Sequence, residues 1–427
     1  MNDTVHKQDS QSDREHIALF LPNLEGGGAE KVMLILATAL VQHGYRVDLV
    51  LCQVAGPYLD HVPPGVHVVG LKAHSQWLAR LQALAADYTA LRPLLLPVLL
   101  AYKTHRIIRY LPDFVRYLRQ AQPTVLLAAL TPANLVAVWA QRLAGIPMRV
   151  IISEHNTLSQ MIAERAAFWR WRFLPPLLKR VYAHADGIIA VSDGAADDLA
   201  QSTGLSRACI TTIYNPVVTP DLLEQTRAPL DYAWFAARAA PVVLGVGRLA
   251  KQKDFPTLLR AFARVLKTRA VRLIILGEGP ERERLESLAQ QLGIAAKVEL
   301  PGFVDNPFAY MARAKVFVLS SRYEGFGNVL VEAMACGCPI VSTDCPSGPA
   351  EILGHAHTGQ EHSKNCPSSG LLVPVGDELA LANAMLTVLV APFGHVDDAA
   401  RERRHSRAAQ FSVEHAVDRY LEVLRNV

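Results

Sequence analysis

The chain has 427 residues, half of them hydrophobic and a fifth charged, enough to build two or three packed cores and to exclude wholesale disorder. Its formal net charge of +4 is too small to point to nucleic acid, and no nucleic-acid partner is expected. The six cysteines, Cys52, Cys209, Cys336, Cys338, Cys345 and Cys366, form no Cys-x-x-Cys pair, and no histidine cluster has zinc spacing; reduced thiols and no metal are expected.

Residues 1–14 are polar and charged, read as a disordered tail without the apolar stretch of a secretory signal. His16–Leu21 is a buried strand. The turn Pro22-Asn23-Leu24-Glu25-Gly26-Gly27-Gly28-Ala29-Glu30 leads into an apolar-periodic helix over about 29–43, ended by Gly44-Tyr45, and Arg46–Leu51 is the next strand. Strand, loop, helix, strand is a parallel crossover unit. Gly27 and Gly28 at the helix entrance let a ligand approach backbone amides as phosphate loops do, although the spacing is not that of a dinucleotide fingerprint.

Residues 77–119 carry seven basic side chains (Arg80, Arg92, Lys103, Arg106, Arg109, Arg116, Arg119) against two acidic ones, interleaved with leucines and aromatics. A basic amphipathic stretch of this kind suits an anionic membrane surface, and Arg106, Arg109 and Arg116 are candidates for membrane or acceptor contact. The run Phe168-Trp169-Arg170-Trp171-Arg172-Phe173 is a second candidate. The bland reading is that these aromatics face a core and the basic residues cover its outside. Residues 94–102, the most lipid-like run, contain Pro97 and fall short of the ~20 residues needed to span a bilayer. A cytoplasmic protein, peripheral on the inner membrane, is expected.

Strands follow over 125–130 and 149–152, the second delivering Ser153-Glu154-His155-Asn156 at its C-terminal end, where open parallel sheets bind ligands. Strands at 187–191 and 210–214 then lead to Asn215-Pro216. Residues 217–240 read as a linker. Strands and helices alternate again from Val242–Val246, giving an N-terminal domain over 15–216, a second domain over 241–410 and a final helix over 411–427 placed to pack back on the first domain. Two doubly wound α/β sheets facing a cleft is the simplest architecture. The loop 354–370 is polar and turn-rich, and His355, His357 and His362 in it are a weak metal tract.

Gly247-Arg248-Leu249-Ala250-Lys251-Gln252-Lys253-Asp254 stands at the end of the first strand of the second half. Positioned Arg and Lys side chains stabilise an anionic ligand or the charge that grows on a leaving anion. Arg248 and Lys253 flank the turn, with Lys251 between them. No Asp-x-Asp stands at a strand end, so nothing suggests a metal-held anion. Further on, 316–320 reads as a strand leading to Ser321-Arg322-Tyr323-Glu324-Gly325-Phe326-Gly327-Asn328-Val329-Leu330-Val331-Glu332-Ala333-Met334-Ala335-Cys336-Gly337. Gly325 and Gly327 make the turn, Asn328 is placed to cap a short helix, and Glu324 and Glu332 bracket the loop with seven residues between them.

The Glu-x7-Glu words YEGFGNVLVEAMACG resemble the motif of retaining, nucleotide-sugar-dependent glycosyltransferases of the GT-B fold, family four. GGGAE, EHN, GRLAKQKD, GEGPE and the Gly370–Pro374 segment extend the resemblance over nearly the whole chain. It implies that Glu332 holds the donor ribose, that Glu324 sits near the transferred sugar, and that Gly325, Phe326, Gly327 and Asn328 offer backbone to sugar and phosphate. It further implies that Gly27 and Gly28 lie over the donor phosphates, that Arg248 and Lys253, and not Lys251, hold the diphosphate, and that His155 lies near the anomeric carbon. The implied reaction moves a hexosyl or N-acetylhexosaminyl group from a nucleoside diphosphate sugar, UDP-linked, to a sugar acceptor linked to polyprenyl diphosphate, with no cofactor and no metal. A soluble-acceptor transferase, a catalytically inactive nucleotide-sugar-binding subunit and an epimerase on the same fold are the alternatives.

Overall fold

A computed structural model describes residues 15–87, 106–165, 169–236, 239–355, 369–390 and 398–426. The tail, residues 88–105 of the apolar-basic stretch, Phe168, and His357 and His362 of the turn-rich loop lie outside them.

Among the described residues, seven parallel strands form the first sheet: β1 (His16–Leu21), β2 (Arg46–Leu51), β3 (Val66–Gly70), β4 (Val125–Ala129), β5 (Arg149–Glu154), β6 (Gly187–Ala190) and β7 (Ile210–Thr212). Their spatial order is β3-β2-β1-β4-β5-β6-β7. The second sheet has six: β8 (Val242–Val246), β9 (Arg272–Leu276), β10 (Val298–Gly302), β11 (Val316–Leu319), β12 (Ile340–Thr343) and β13 (Leu371–Val373), in the order β10-β9-β8-β11-β12-β13. Every strand pair is parallel; β1 runs beside β4 with Ile17 opposite Val125, and β8 beside β11 with Val243 opposite Val316. These are the two doubly wound sheets of the expected α/β architecture.

Strands covered by helices on both faces read as near-continuous apolar runs, as VLLAA and, after its first residue, HIALFL do. Alternation then assigns the faces. Ile17, Leu19 and Leu21 pack with Met33 and Leu40 of the helix Gly28–Gln42, whereas Ala18 and Phe20 face the other side, where Phe20 stacks on Phe114 with centroids 4.2 Å apart. The helix Val413–Asn426, last in the chain, belongs to this first core: Val417, Tyr420, Leu421 and Leu424 lie among β1, β2 and β4. To reach it the chain passes back beside the outgoing segment, with Val217 N–H donating to Phe411 O (3.0 Å) and Val413 N–H to Val218 O (3.2 Å).

Each sheet reverses its order of strand addition once, between β1 and β4 and between β8 and β11. At such a switch point the connections leave in opposite directions and open a crevice outside the carboxyl ends of the strands. The glycine loop follows β1, the Arg248–Lys253 loop follows β8, and the Glu324 loop follows β11.

Candidate active site

Two loops of the second domain are tied side by side. Arg322 N–H donates to Gln252 O (2.8 Å), Gln252 Nε2 donates to Tyr323 O (3.0 Å), and Ser320 Oγ donates to Lys253 O (2.8 Å). This lacing fixes Lys253 against Glu324: the Lys253 Nζ lies 2.6 Å from Glu324 Oε1, which also accepts from Ser321 Oγ at 2.6 Å. Glu324 is buried, and a buried carboxylate needs such partners. Arg248, at the end of β8, is exposed and close enough to the first domain to act electrostatically on Glu30.

Glu332 stands on the helix Asn328–Ala335 and is buried. Its partner comes from the opposite domain. Lys31, in the first turn of the helix Gly28–Gln42, places Nζ 2.5 Å from Glu332 Oε1 and 4.9 Å from the centroid of the Phe308 ring. Burial alone would lower the Lys31 pKa; the Glu332 carboxylate outweighs it and leaves the ammonium harder to deprotonate than usual. Next to it Glu30 is buried, and burial raises its pKa more than the backbone amides around it and the Arg248 charge lower it. A Cβ on Gly27 would lie 2.3 Å from a Glu30 carboxylate oxygen, so the glycine makes room for this side chain.

Asn328 was expected as a helix cap. Instead Gly327, at φ 105°, occupies that position, and Asn328 is the first helical residue. Its amide is recruited across the cleft: Oδ1 accepts from Asn215 Nδ2 (2.8 Å) and Nδ2 donates to Gly28 O (3.4 Å). A tertiary partner has displaced the local capping bond. Phe326 turns its ring into the interdomain core, stacked on Tyr214 at 5.5 Å, so only its backbone faces the cleft loop.

The EHN segment and the EGFG loop meet although 170 positions separate them. A Cβ on Gly325 would fall 2.0 Å from His155 O; no other residue permits that approach. Thr157 Oγ1 donates to Glu324 O (2.5 Å) and Ser192 Oγ to Gly325 O (2.6 Å), so first-domain hydroxyls hold the second-domain loop. The strand end that presents His155 is anchored by buried Glu154, which accepts from Thr131 Oγ1 (2.8 Å), Asn134 Nδ2 (3.0 Å) and the Tyr182 hydroxyl. Ser153 Oγ lies 3.0 Å from His155 Nε2, and burial pulls the His155 pKa down to about 4. The imidazole is therefore neutral at neutral pH.

One cleft thus brings together Gly27, Gly28, His155, Arg248, Lys253, Glu324, Gly325, Phe326, Gly327, Asn328 and Glu332. Arg106, Arg109 and Arg116 stay apart from it, on elements packed against the helices Gln76–Ala86 and Thr131–Ala144. Arg106 is exposed, Arg109 Nε donates to His74 O (3.0 Å), and Arg116 pairs with Asp113. Lys31, Glu30 and Glu351 are cleft-spanning residues that reading the sequence missed. Glu351 accepts from the Asp193 and Gly194 amides (both 2.8 Å) at the start of the helix Asp193–Thr203. Each is an ordinary charged residue in a helix's first turn, with no spacing that marks it. Among the described residues no three His, Cys, Asp or Glu side chains converge as a metal site, and no helix is long and apolar enough to cross a membrane.

Chemically, the cleft offers cations at the mouth of β8, buried carboxylates for hydroxyl groups, and glycine backbone between them. Residues 26–220 match the family described as Glycosyltransferase Family 4, and residues 240–390 match Glycosyl transferases group 1. The chain is 30% identical over 88% of its length, and 90% of the relative's, to the N-acetylgalactosamine-N,N'-diacetylbacillosaminyl-diphospho-undecaprenol 4-alpha-N-acetylgalactosaminyltransferase of Campylobacter jejuni. It is 32% identical to the lipopolysaccharide core biosynthesis glycosyltransferase LpsE of Rhizobium meliloti, over 57% of this chain and 65% of that one. The solved structure of Anabaena HepE with UDP and glucose superposes with a TM-score of 0.70 at 21% identity, covering 96% of this chain and 99% of the other. The chain is a GT-B protein and belongs to the family-four glycosyltransferases.

Proposed function

We propose that this enzyme moves a hexosyl or N-acetylhexosaminyl group from a UDP-sugar, with retention and without a metal ion, to a sugar on polyprenyl diphosphate in cell-surface polysaccharide synthesis. One observation carries the reading: the loops at both switch points face each other and place Arg248, Lys253, Glu324 and Glu332 in a single cleft, with His155 at the opposing strand end. The name of the Campylobacter relative, which acts on a diphospho-undecaprenol acceptor, supports the acceptor class. HepE, crystallised with UDP and glucose, supports the donor.

On this reading the donor diphosphate lies between the glycine loop and the Arg248–Lys253 turn. As the anomeric C1–O bond breaks, negative charge grows on the departing diphosphate, and the guanidinium and ammonium stabilise it where it develops. Glu332 accepts from the ribose hydroxyls, taking them in place of, or beside, the Lys31 ammonium. Glu324 sits by the transferred sugar and aims Lys253 at the phosphates. The acceptor hydroxyl attacks on the face the diphosphate leaves, and a donor phosphate oxygen takes its proton. His155, neutral, can accept or donate a hydrogen bond to the sugar without adding positive charge.

The protein works at the cytoplasmic face of the inner membrane, held peripherally by the basic stretch that includes Arg106 and Arg109. Incubation with a panel of radiolabelled nucleotide sugars and membrane lipid extract tests the whole reading. Transfer of label from one UDP-sugar into the lipid fraction is expected. Donor neither transferred nor hydrolysed from any nucleotide sugar would leave a nucleotide-sugar-binding subunit as the better description, and label passing only to a free sugar would move the acceptor to the soluble class.

A further inference from the structure

The two laced loops of the second domain have a second side. Lys253 and Glu324 meet in the cleft, while Lys251 and Arg322, two positions earlier in each loop, line a separate cavity of ≈ 270 Å³ together with Asp254, Pro256, Arg260, Glu281 and Arg284. A water's share of liquid is about 30 Å³, so the cavity has room for a phosphate group and its hydration. Its charge is lopsided, four cations against two carboxylates. Both carboxylates are already engaged, Asp254 by Arg322 at 3.2 Å and Glu281 by Arg284 at 2.6 Å. Among the described residues Lys251 and Arg260 have no ion-pair partner, and both are exposed.

The surrounding backbone adds to this field. The helices Phe255–Val265 and Arg282–Gln291 begin at the cavity, and neither start is closed by a side-chain cap. Both leave partial positive charge facing the same space. Three guanidinium groups suit a tetrahedral oxyanion, which they can grip in pairs. Tyr323, between Arg322 and Glu324, reaches the Glu164 carboxylate of the first domain, so this corner of the second domain borders the helix Leu158–Glu164, just beyond the EHN segment.

We propose that this cavity is a second anion site, separate from the donor cleft, that takes a phosphate or diphosphate group. The cleft's own cations, Arg248 and Lys253, are not among its lining, and Lys251, which the donor reading leaves without a role, is central to it. Two sources carry the required chemistry: a diphosphate presented in solution or on the acceptor, and the headgroup of an anionic phospholipid.

Pyrophosphate is the probe. Calorimetric titration of the full chain should show a binding event that saturating UDP leaves in place. The variant Lys251→Glu/Arg260→Glu changes two exposed side chains, and its thermal midpoint is measured alongside to show that it folds. It should weaken the UDP-resistant event at least tenfold and leave UDP affinity unchanged. Arg248→Ala/Lys253→Ala should do the reverse; if it alters nothing, the donor reading fails while the cavity remains testable through the first variant. Co-sedimentation with phosphatidylglycerol vesicles, against phosphatidylcholine vesicles, separates the sources. A tenfold loss there with no pyrophosphate event assigns the site to a headgroup. Pyrophosphate fully displaced by UDP, or bound equally by the Lys251→Glu/Arg260→Glu variant, together with unchanged vesicle binding, would overturn the proposal.

Discussion

Lys31 and Glu332 form an ion pair whose members belong to different domains, so breaking it should act on how the domains hold together. Glu332 is almost wholly buried and the Lys31 side chain is one-third exposed, 6% and 33% respectively. Removing one partner of a fully buried pair costs about 3–5 kcal/mol; a fully exposed pair is worth about 0.2–1 kcal/mol. The partial exposure of Lys31 places this pair between those limits, at about 2 kcal/mol, which is roughly thirtyfold in an equilibrium constant. Lys31→Met keeps the stem over Phe308 and removes only the charge. Glu332→Gln keeps the shape and removes the carboxylate.

Together with the double variant these changes complete a cycle that isolates the coupling. The readout is the closed fraction of UDP-free protein, followed by a distance label on each domain. The Lys31 pKa is raised, so its contribution is complete below the ordinary lysine value near 10.4 and is lost only as pH rises through the higher folded value. The lysine therefore imposes no pH dependence on the coupling between pH 6 and 9. Single-variant effects that simply add, leaving a coupling below about 0.5 kcal/mol, would show that the pair does not hold the domains and would refute the reasoning.

Arg248→Ala or Lys253→Ala should lower turnover by about 10²–10³, the usual loss when one transition-state charge partner goes, and Lys251→Ala should do far less; equal losses for all three would misplace the grip. Chelation with EDTA should leave transfer nearly intact, and strict loss restored by manganese would contradict a metal-free diphosphate grip. The His155 ring should titrate by NMR with a midpoint about 4. Because its folded value lies below the unfolded one, near 6.5, the unfolded chain binds the extra proton, so stability should fall as pH drops from 6.5 towards 4. His155→Asn should lose less stability over that interval; an identical pH slope would place the ring in solvent. Arg106→Glu/Arg109→Glu should reduce binding to anionic vesicles and leave UDP binding intact. Arg116 is spared in this test because a glutamate there would face buried Asp113. Equal sedimentation with neutral vesicles would assign these arginines to an ordinary soluble surface.

Where the sequence was legible, one local rule sufficed. Val242–Val246 and Val316–Leu319 read directly as strands, because a strand buried on both faces is a continuous apolar run bounded by turn residues; His16–Leu21 and Arg46–Leu51 keep enough of that run to be read despite His16 and Asp48. Two edge strands escaped. β3 is half-exposed at the sheet's edge and β13 has three residues, too few for any period. The cleft loops were legible because glycine next to charged residues at a strand end has few other uses. What joins the two halves was not, since Lys31 finds Glu332 only in three dimensions and Asn328 followed a distant partner instead of its local rule. Glu154 likewise reads as a neighbour of His155 until Thr131, Asn134 and Tyr182 are seen to close around it.

The returning C-terminal helix has a consequence for how the protein is made. Val417, Tyr420, Leu421 and Leu424 cover one side of the first sheet, yet they are translated after every named strand of either sheet. Until they arrive, Ile17, Leu19, Ile151 and Ile189 lack part of their cover, so the first sheet's core waits until the second sheet has been translated. Synthesis order and folding order therefore run in opposite directions here. A chain stopped after residue 409 would carry a complete second sheet beside a first one with an open apolar flank, a substrate for chaperones and proteases before it could be a transferase.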